Sequence, residues 1–452
     1  MTAAGLPPGI VIAAPSSGSG KTLLTLGLLR HFRETGTTVA SVKIGPDYID
    51  PAFHAAAGGR SCANLDLWAM RPESQADALS DTADGAELVL CEGVMGLFDG
   101  AVLDEGSTAD AARRFGWPVV LVVDAKAQGA SAAALVSGFA KHREGVEIAG
   151  VIFNRTGSKR HAEILRAAMA ADLPDIPVLG CLPRIEGLSL PERHLGLVQA
   201  GEHTDLDAFI TAAAAAVATH VDTNTLKSLA CPTVSPTSAP DRSRGAIPPL
   251  GSRIAVARDL AFAFSYPHVL AGWRRAGAEI SFFSPLADEA PGADADAVFL
   301  PGGYPELHAP RLATNMVFLA GLRTAADTGK TVFGECGGYM VLGKSLIDAD
   351  GAGHAMAGLL PVETSFAERK LHLGYRQATL ADDGPFGPAG TVLRGHEFHY
   401  ATIISEDLEE GRDAPLFHVK NAQDQYLGAL GRRRNNILGS FIHLIDQEDS
   451  AG

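Results

Sequence analysis

The chain has 452 residues, beyond the size at which a single hydrophobic core keeps growing, so roughly two to three domains are expected. Hydrophobic residues make up 46% and charged residues 20%, which excludes a chain that is disordered by composition. Acidic residues outnumber basic ones 52 to 37, a formal charge of −15, and that balance speaks against nucleic acid or an anionic membrane as partner.

The opening residues 1–8 lack the basic-then-apolar order of a secretory leader. Residues 9–14 form a short apolar run that predicts a strand, and residues 22–34 place Leu23, Leu24, Leu26, Leu28, Leu29 and Phe32 at helical spacing. Between them lies Pro15-Ser16-Ser17-Gly18-Ser19-Gly20-Lys21-Thr22, the pattern of a phosphate loop with Pro15 where the strict form has glycine. In such a loop Gly18, Ser19 and Gly20 offer backbone N–H groups to the phosphates. Lys21 reaches the β- and γ-phosphates, and the Thr22 hydroxyl binds Mg²⁺. ATP and Mg²⁺ are therefore expected.

A second strand, over 39–44, runs into Lys43-Ile44-Gly45-Pro46-Asp47-Tyr48-Ile49-Asp50-Pro51. Lys43 there is suited to neutralise a transferring phosphoryl group, and Asp47 or Asp50 to hold Mg²⁺, with Asp47 preferred for the metal and Asp50 for the substrate or intermediate. A third strand, at 88–90, leads into Cys91-Glu92-Gly93-Val94-Met95-Gly96-Leu97-Phe98-Asp99-Gly100. Glu92 is a further candidate metal ligand, and Asp99 either meets the substrate or caps a turn. Strands at 118–123 and 148–153, separated by alanine-rich helical segments, complete the signature of a parallel sheet wrapped by helices. Apolar stretches such as 212–217 fall far short of the ~20 residues that cross a bilayer.

From residue 231 to 251 the composition turns to Pro, Ser, Thr and Arg, which predicts a linker over 229–251 between domains spanning 1–228 and 252–446. Beyond it, strands at 253–257, 297–300 and 331–333 alternate with helices such as 264–276. Five scattered cysteines, Cys62, Cys91, Cys181, Cys231 and Cys336, show no zinc or disulfide spacing and fit a reducing cytoplasm. Cys336 differs from the rest. It sits in Gly334-Glu335-Cys336-Gly337-Gly338 after an apolar strand, where glycines permit the strained turn that projects a nucleophile. A base must activate it, and His443, at the end of a strand-like run over 438–444, is the candidate, with His396 and His399 as rivals. Leu300-Pro301-Gly302-Gly303-Tyr304 supplies backbone N–H groups for an oxyanion hole, with Gly337 joining Gly302 and Gly303. Glu397 either orients a substrate ammonium or pairs with Arg394. Arg432, Arg433 and Arg434 form a solvated loop or touch a polyanion.

Pro-Gly-Gly-Tyr, Gly-Glu-Cys-Gly-Gly and Gly-Ser-Phe-Ile-His together resemble the class I glutamine amidotransferases, in the branch whose glutaminase follows a dethiobiotin-synthetase-like ATP domain. Lys43 to Pro51 and Arg394 to Tyr400 narrow the resemblance to the a,c-diamide synthases of cobalamin biosynthesis, across nearly the whole chain outside the linker. The resemblance implies an α/β protein of two domains, a P-loop parallel sheet and an amidotransferase-like α/β domain. It further implies amidation of the a and c carboxylates of hydrogenobyrinic or cobyrinic acid through acyl phosphates, with ATP, glutamine and a corrinoid polycarboxylate as partners. A homodimer stays open. Cobyric acid synthase, a diamide synthase of another tetrapyrrole and a partition-type ATPase with a decayed tail are the alternatives. Many amidotransferases carry an acid two positions after the histidine. This chain has Ile445 there, so a Cys336/His443 dyad is expected.

Overall fold

The computed structural model describes residues 5–103, 105–185, 187–188, 192–193, 196–234, 246–406 and 408–448. They form two compact units, Met1–Trp68 with Gln75–Pro240 and Ala69–Ser74 with Asp241–Gly452.

The first unit is built on seven strands: β1 Gly9–Ala13, β2 Val39–Ile44, β3 Cys62–Leu65, β4 Leu88–Glu92, β5 Val119–Asp124, β6 Ile148–Thr156 and β7 Val178–Pro183. Their order is β3-β2-β4-β1-β5-β6-β7 and every pairing is parallel. β1, β2 and β4 are buried along their whole length, and apart from Ser41, Lys43 and Glu92 they read as apolar runs. A parallel sheet brings all carboxyl ends to one edge, so the loop after β1, Lys43 of β2 and Glu92 of β4 meet there, with Lys43 opposite Glu92 and Glu92 opposite Ile12. Helix α1, Lys21–Glu34, begins directly at the phosphate loop, and α2, Asp50–Gly58, begins within the acidic turn after β2. Of the stretch expected as linker, Cys231 exchanges backbone hydrogen bonds with Gly9, and Thr233 accepts from the Trp117 indole N–H at 2.9 Å, all within this unit. Residues 235–245 lie outside the described residues.

In the second unit β8 Arg253–Ala257, β9 Glu279–Phe283, β10 Ala297–Leu300 and β11 Thr331–Glu335 are parallel. The expected alternation with helices stops there: among the described residues no helix follows Leu342. The chain instead adds β12 His372–Leu380, β13 Val392–His399, β14 Asp413–Asn421, β15 Tyr426–Arg434, β16 Ile437–Ser440 and β17 Ile442–Gln447. The resulting sheet runs β9-β8-β10-β11-β16-β15-β14-β12-β13-β17, parallel from β9 to β16 and antiparallel beyond.

The run expected as one strand over 438–444 is two strands broken at Phe441. β16 pairs with β11, then the chain crosses to pair β17 with β13. The Ser440 hydroxyl accepts the Ile442 N–H at 3.2 Å, which satisfies the backbone donor released at the break. Arg432, Arg433 and Arg434 lie on β15 and not in a solvated loop. Arg434 clasps Asp413 through two contacts of 2.6 Å, and Arg432 pairs with Glu406.

Candidate active sites

At the phosphate loop Gly18 and Gly20 adopt φ of +74° and +93°, conformations that favour glycine. A Cβ on Gly20 would also lie 2.1 Å from the Asn154 amide nitrogen. Asn154 lies in no local motif; its side chain donates to the Ser19 carbonyl at 2.9 Å and so braces the loop from β6.

Four of the selected side chains converge. Thr22 Oγ1 donates to Glu92 Oε1 at 2.7 Å and lies 3.5 Å from Asp50 Oδ2. Lys43 Nζ bridges Asp50 at 2.6 Å and Glu92 at 2.9 Å. Burial opposes the Glu92 charge, but Lys43 and a hydrogen bond from His54 outweigh it and hold the carboxyl well below the usual range. For Asp50, burial and then Asp47 dominate and push its pKa up to about 7. Burial and Lys43 bring Lys21 down to about 8, and its Nζ donates to the Met95 carbonyl at 2.6 Å.

Two selected residues are placed differently. Asp47, expected as metal ligand, turns Oδ1 back onto the N–H groups of Ile49 and Asp50, at 2.8 and 2.9 Å, and starts α2. The carboxylate beside Thr22 and Glu92 is Asp50. Asp99 accepts from Gly96 N at 2.8 Å, the turn-holding member of its two expected roles. His54 carries no sequence signal, being a lone histidine in an Ala-rich helix; it lies buried with Nε2 2.7 Å from Glu92 Oε2.

In the second unit Cys336 stands between β11 and the short helix Gly337–Leu342 with φ 46° and ψ −103°, a strained backbone for a non-glycine residue. Its N–H donates to the Ser440 carbonyl at 2.8 Å. Gly302, Gly303, Gly337 and His443 surround it. A Cβ on Gly302 would fall 2.3 Å from His443 Cε1, 3.0 Å from its Nε2 and 3.3 Å from Cys336 Cβ, and one on Gly337 would fall 3.1 Å from Gly303 N. Burial pushes the Cys336 thiol up, helped by the Glu306 carboxylate. Burial, followed by His396 and His399, lowers His443 to about 3, so the imidazole is neutral over the physiological range.

The rival bases are held elsewhere. His399 has Nδ1 3.0 Å from the Ala401 carbonyl and Nε2 2.8 Å from Glu397 Oε1, and its ring stacks on Phe441. His396 faces His443 across the β13–β17 pair. Glu397 pairs with Arg376 at 2.6 Å and not with Arg394, which binds Glu448. His372, Glu397 and His399 bring ligand-type atoms within 4.8 Å of one another. All five cysteines are free thiols. Among the described residues no helix is long and apolar enough to cross a membrane.

Known families match each unit. Residues 10–198 match the CobQ/CobB/MinD/ParA nucleotide binding domain, and residues 253–451 match the CobB/CobQ-like glutamine amidotransferase domain. The chain is thus a glutamine-dependent amide ligase in class. Similar curated proteins are named hydrogenobyrinate a,c-diamide synthase. That of Brucella anthropi is 55% identical over 97% of this chain and 98% of its own length. Those of Rhizobium meliloti and Rhodobacter capsulatus are 55% and 54% identical over 97% of this chain and 99% of theirs. The chain belongs to the hydrogenobyrinate a,c-diamide synthase family.

Proposed function

We propose that the protein amidates the a and c carboxylates of hydrogenobyrinic acid in succession, spending one ATP and one glutamine on each. The observation that carries this reading is the presence in one chain of the Thr22–Asp50–Glu92–Lys43 constellation beside a phosphate loop and of a strained Cys336 beside His443. A carboxylate has no leaving group, so direct amidation in water does not proceed. Phosphorylation by ATP supplies an acyl phosphate, ammonia attacks its carbonyl carbon, and phosphate departs.

At the nucleotide site Lys21 and Lys43 stabilise charge on the transferring phosphoryl group, and the N–H groups of Gly18, Ser19 and Gly20 hold the phosphates in line. Thr22, Asp50 and Glu92 offer a cluster of hard oxygen donors that fits Mg²⁺, and when bound the ion neutralises phosphate charge. Lys43 keeps the two carboxylates together before it binds.

At the thiol site His443 takes the proton from Cys336 as Sγ attacks the glutamine carboxamide carbon. Gly303 and Gly337 offer N–H groups to the resulting oxyanion. The C–N bond then breaks, His443 delivers its proton to the leaving nitrogen, and ammonia departs. Water hydrolyses the γ-glutamyl thioester to glutamate and regenerates the thiol. Because both the Cys336 thiol and the His443 imidazole are neutral in the free enzyme, proton transfer accompanies attack.

Incubation with ATP, Mg²⁺, glutamine and either hydrogenobyrinic or cobyrinic acid, followed by mass analysis, tests the assignment. The expected product is the diamide of the metal-free ring, with one ADP formed per amide. Amidation of neither ring, or amides formed without ADP, contradicts it.

A further inference from the structure

We infer that Glu335, the residue immediately before Cys336, is the carboxylate that positions His443 for glutamine cleavage. The inference rests on the reading of Cys336 and His443 as nucleophile and base.

The sequence points to a histidine without an acid, since Ile445 occupies the position two residues on. The fold provides one from another strand. Glu335 ends β11, and one of its oxygens, Oε1, accepts the Leu444 N–H at 3.0 Å. The other, Oε2, lies 3.8 Å from Nδ1 of the adjacent His443. The same ring also borders the nucleophile loop: the Cβ position of Gly302 lies 2.3 Å from His443 Cε1, 3.0 Å from Nε2 and 3.3 Å from Cys336 Cβ. The imidazole therefore has a carboxylate near Nδ1 and the nucleophile loop near Cε1 and Nε2. The 3.8 Å separation exceeds a hydrogen bond by roughly 1 Å, and such contacts in ligand-free sites are often long and tighten in the complex.

Two other acids near the site are held by arginines. Asp446 accepts from Arg71 N, Nε and Nη2 at 2.8, 3.1 and 2.9 Å. Glu397 is shared by Arg376 and His399. Glu335 itself is buried beside Tyr266, Trp273, Phe333 and Phe386. Burial pushes its pKa up to about 8, and a carboxyl group is costly to keep among apolar side chains unless it acts on a partner.

In its ionised form, which becomes the majority above about pH 8, the Glu335 carboxylate accepts Nδ1–H and leaves the Nε2 lone pair toward Cys336. It then stabilises the imidazolium formed when Sγ–H passes its proton to Nε2, until that proton leaves with ammonia.

Glu335→Gln separates this role from a structural one. The amide keeps an acceptor for Leu444 N–H but turns a donor toward Nδ1, favouring the wrong tautomer. Glutamine-dependent kcat should fall by roughly 10² to 10⁴-fold, with KM for glutamine and ammonium-dependent synthesis held within about threefold. Glu335→Asp, which restores the acid, should recover part of the lost kcat. Cys336→Ala runs in parallel. A Glu335→Gln enzyme with near wild-type kcat, beside a dead Cys336→Ala enzyme, overturns the role of Glu335 alone. Glutamine use by Cys336→Ala overturns the underlying reading. A change confined to KM, an equal loss with ammonium, or an Asp variant no better than Gln makes Glu335 structural and overturns the proposal.

Discussion

Glu92 has no exposed side-chain surface, yet it stays ionised because Lys43 and Thr22 meet one oxygen and His54 the other. Removing one partner of such a buried pair strands the rest, so Glu92→Gln should lower the stability of the first unit by about 3–5 kcal/mol. It should also cut synthesis with glutamine or ammonium by roughly 10²-fold or more. Urea unfolding and amide counts measure both, and a wild-type midpoint with full synthesis contradicts the account. Lys21→Ala should abolish synthesis with either nitrogen source, because activation precedes the need for ammonia; near-normal ammonium-dependent synthesis contradicts that role.

His54 gives this cluster a pH signature. Burial lowers its pKa, but the Cys62 sulfur and the Glu92 carboxylate prevail and raise it from 6.5 to about 10. A histidine raised on folding contributes its full stability below the unfolded value and loses it as pH climbs through the folded one. The stability gap between wild type and His54→Ala should therefore be widest below pH 6.5 and shrink toward about pH 10. A gap that stays constant or widens over that window counts against the pair.

At the level of elements, the loop after β10 fixes the histidine of the thiol site. Gly302→Ala places a methyl carbon 2.3 Å from His443 Cε1 and 3.3 Å from the Cys336 Cβ. The ring has to shift. Glutamine-dependent turnover should fall by roughly 10²-fold while ammonium-dependent synthesis is retained, since misplacement of about 1 Å costs that much. Retained glutamine turnover contradicts the packing described here. β17 is held at its end by Arg71 on Asp446, both largely buried. Asp446→Ala should lower the stability of the second unit by about 3 kcal/mol, read from denaturant unfolding.

Elements were unequally legible in the sequence for a physical reason. Central strands of the parallel sheets are covered on both faces and read as mostly apolar runs, as at Val119–Asp124, where only the terminal acid is partly exposed. Strands β12, β14 and β15 carry many partly buried or exposed positions, and their meaning depends on partners far along the chain. Three consecutive arginines look like a loop until Glu406 and Asp413 are brought against them. Site residues divide the same way. Lys21, Thr22, Glu92 and Cys336 lie in motifs with local spacing. Which of Asp47 and Asp50 lies beside Thr22 depends on the turn, where Asp47 accepts the Ile49 and Asp50 N–H groups, and Glu335, Asn154 and His54 make their contacts across separate strands and helices.

At the scale of the whole molecule, one chain carries a nucleotide-binding domain in its first unit and a glutamine amidotransferase domain in its second. The central claim is that the two chemistries are separable. The direct measurement is amide formation on hydrogenobyrinic acid by Cys336→Ala, supplied in turn with glutamine and with ammonium at alkaline pH, where free NH₃ is abundant. The account predicts no amide from glutamine and sustained synthesis from ammonium. Amide from glutamine, or failure with ammonium by a variant that remains folded and binds ATP, contradicts it.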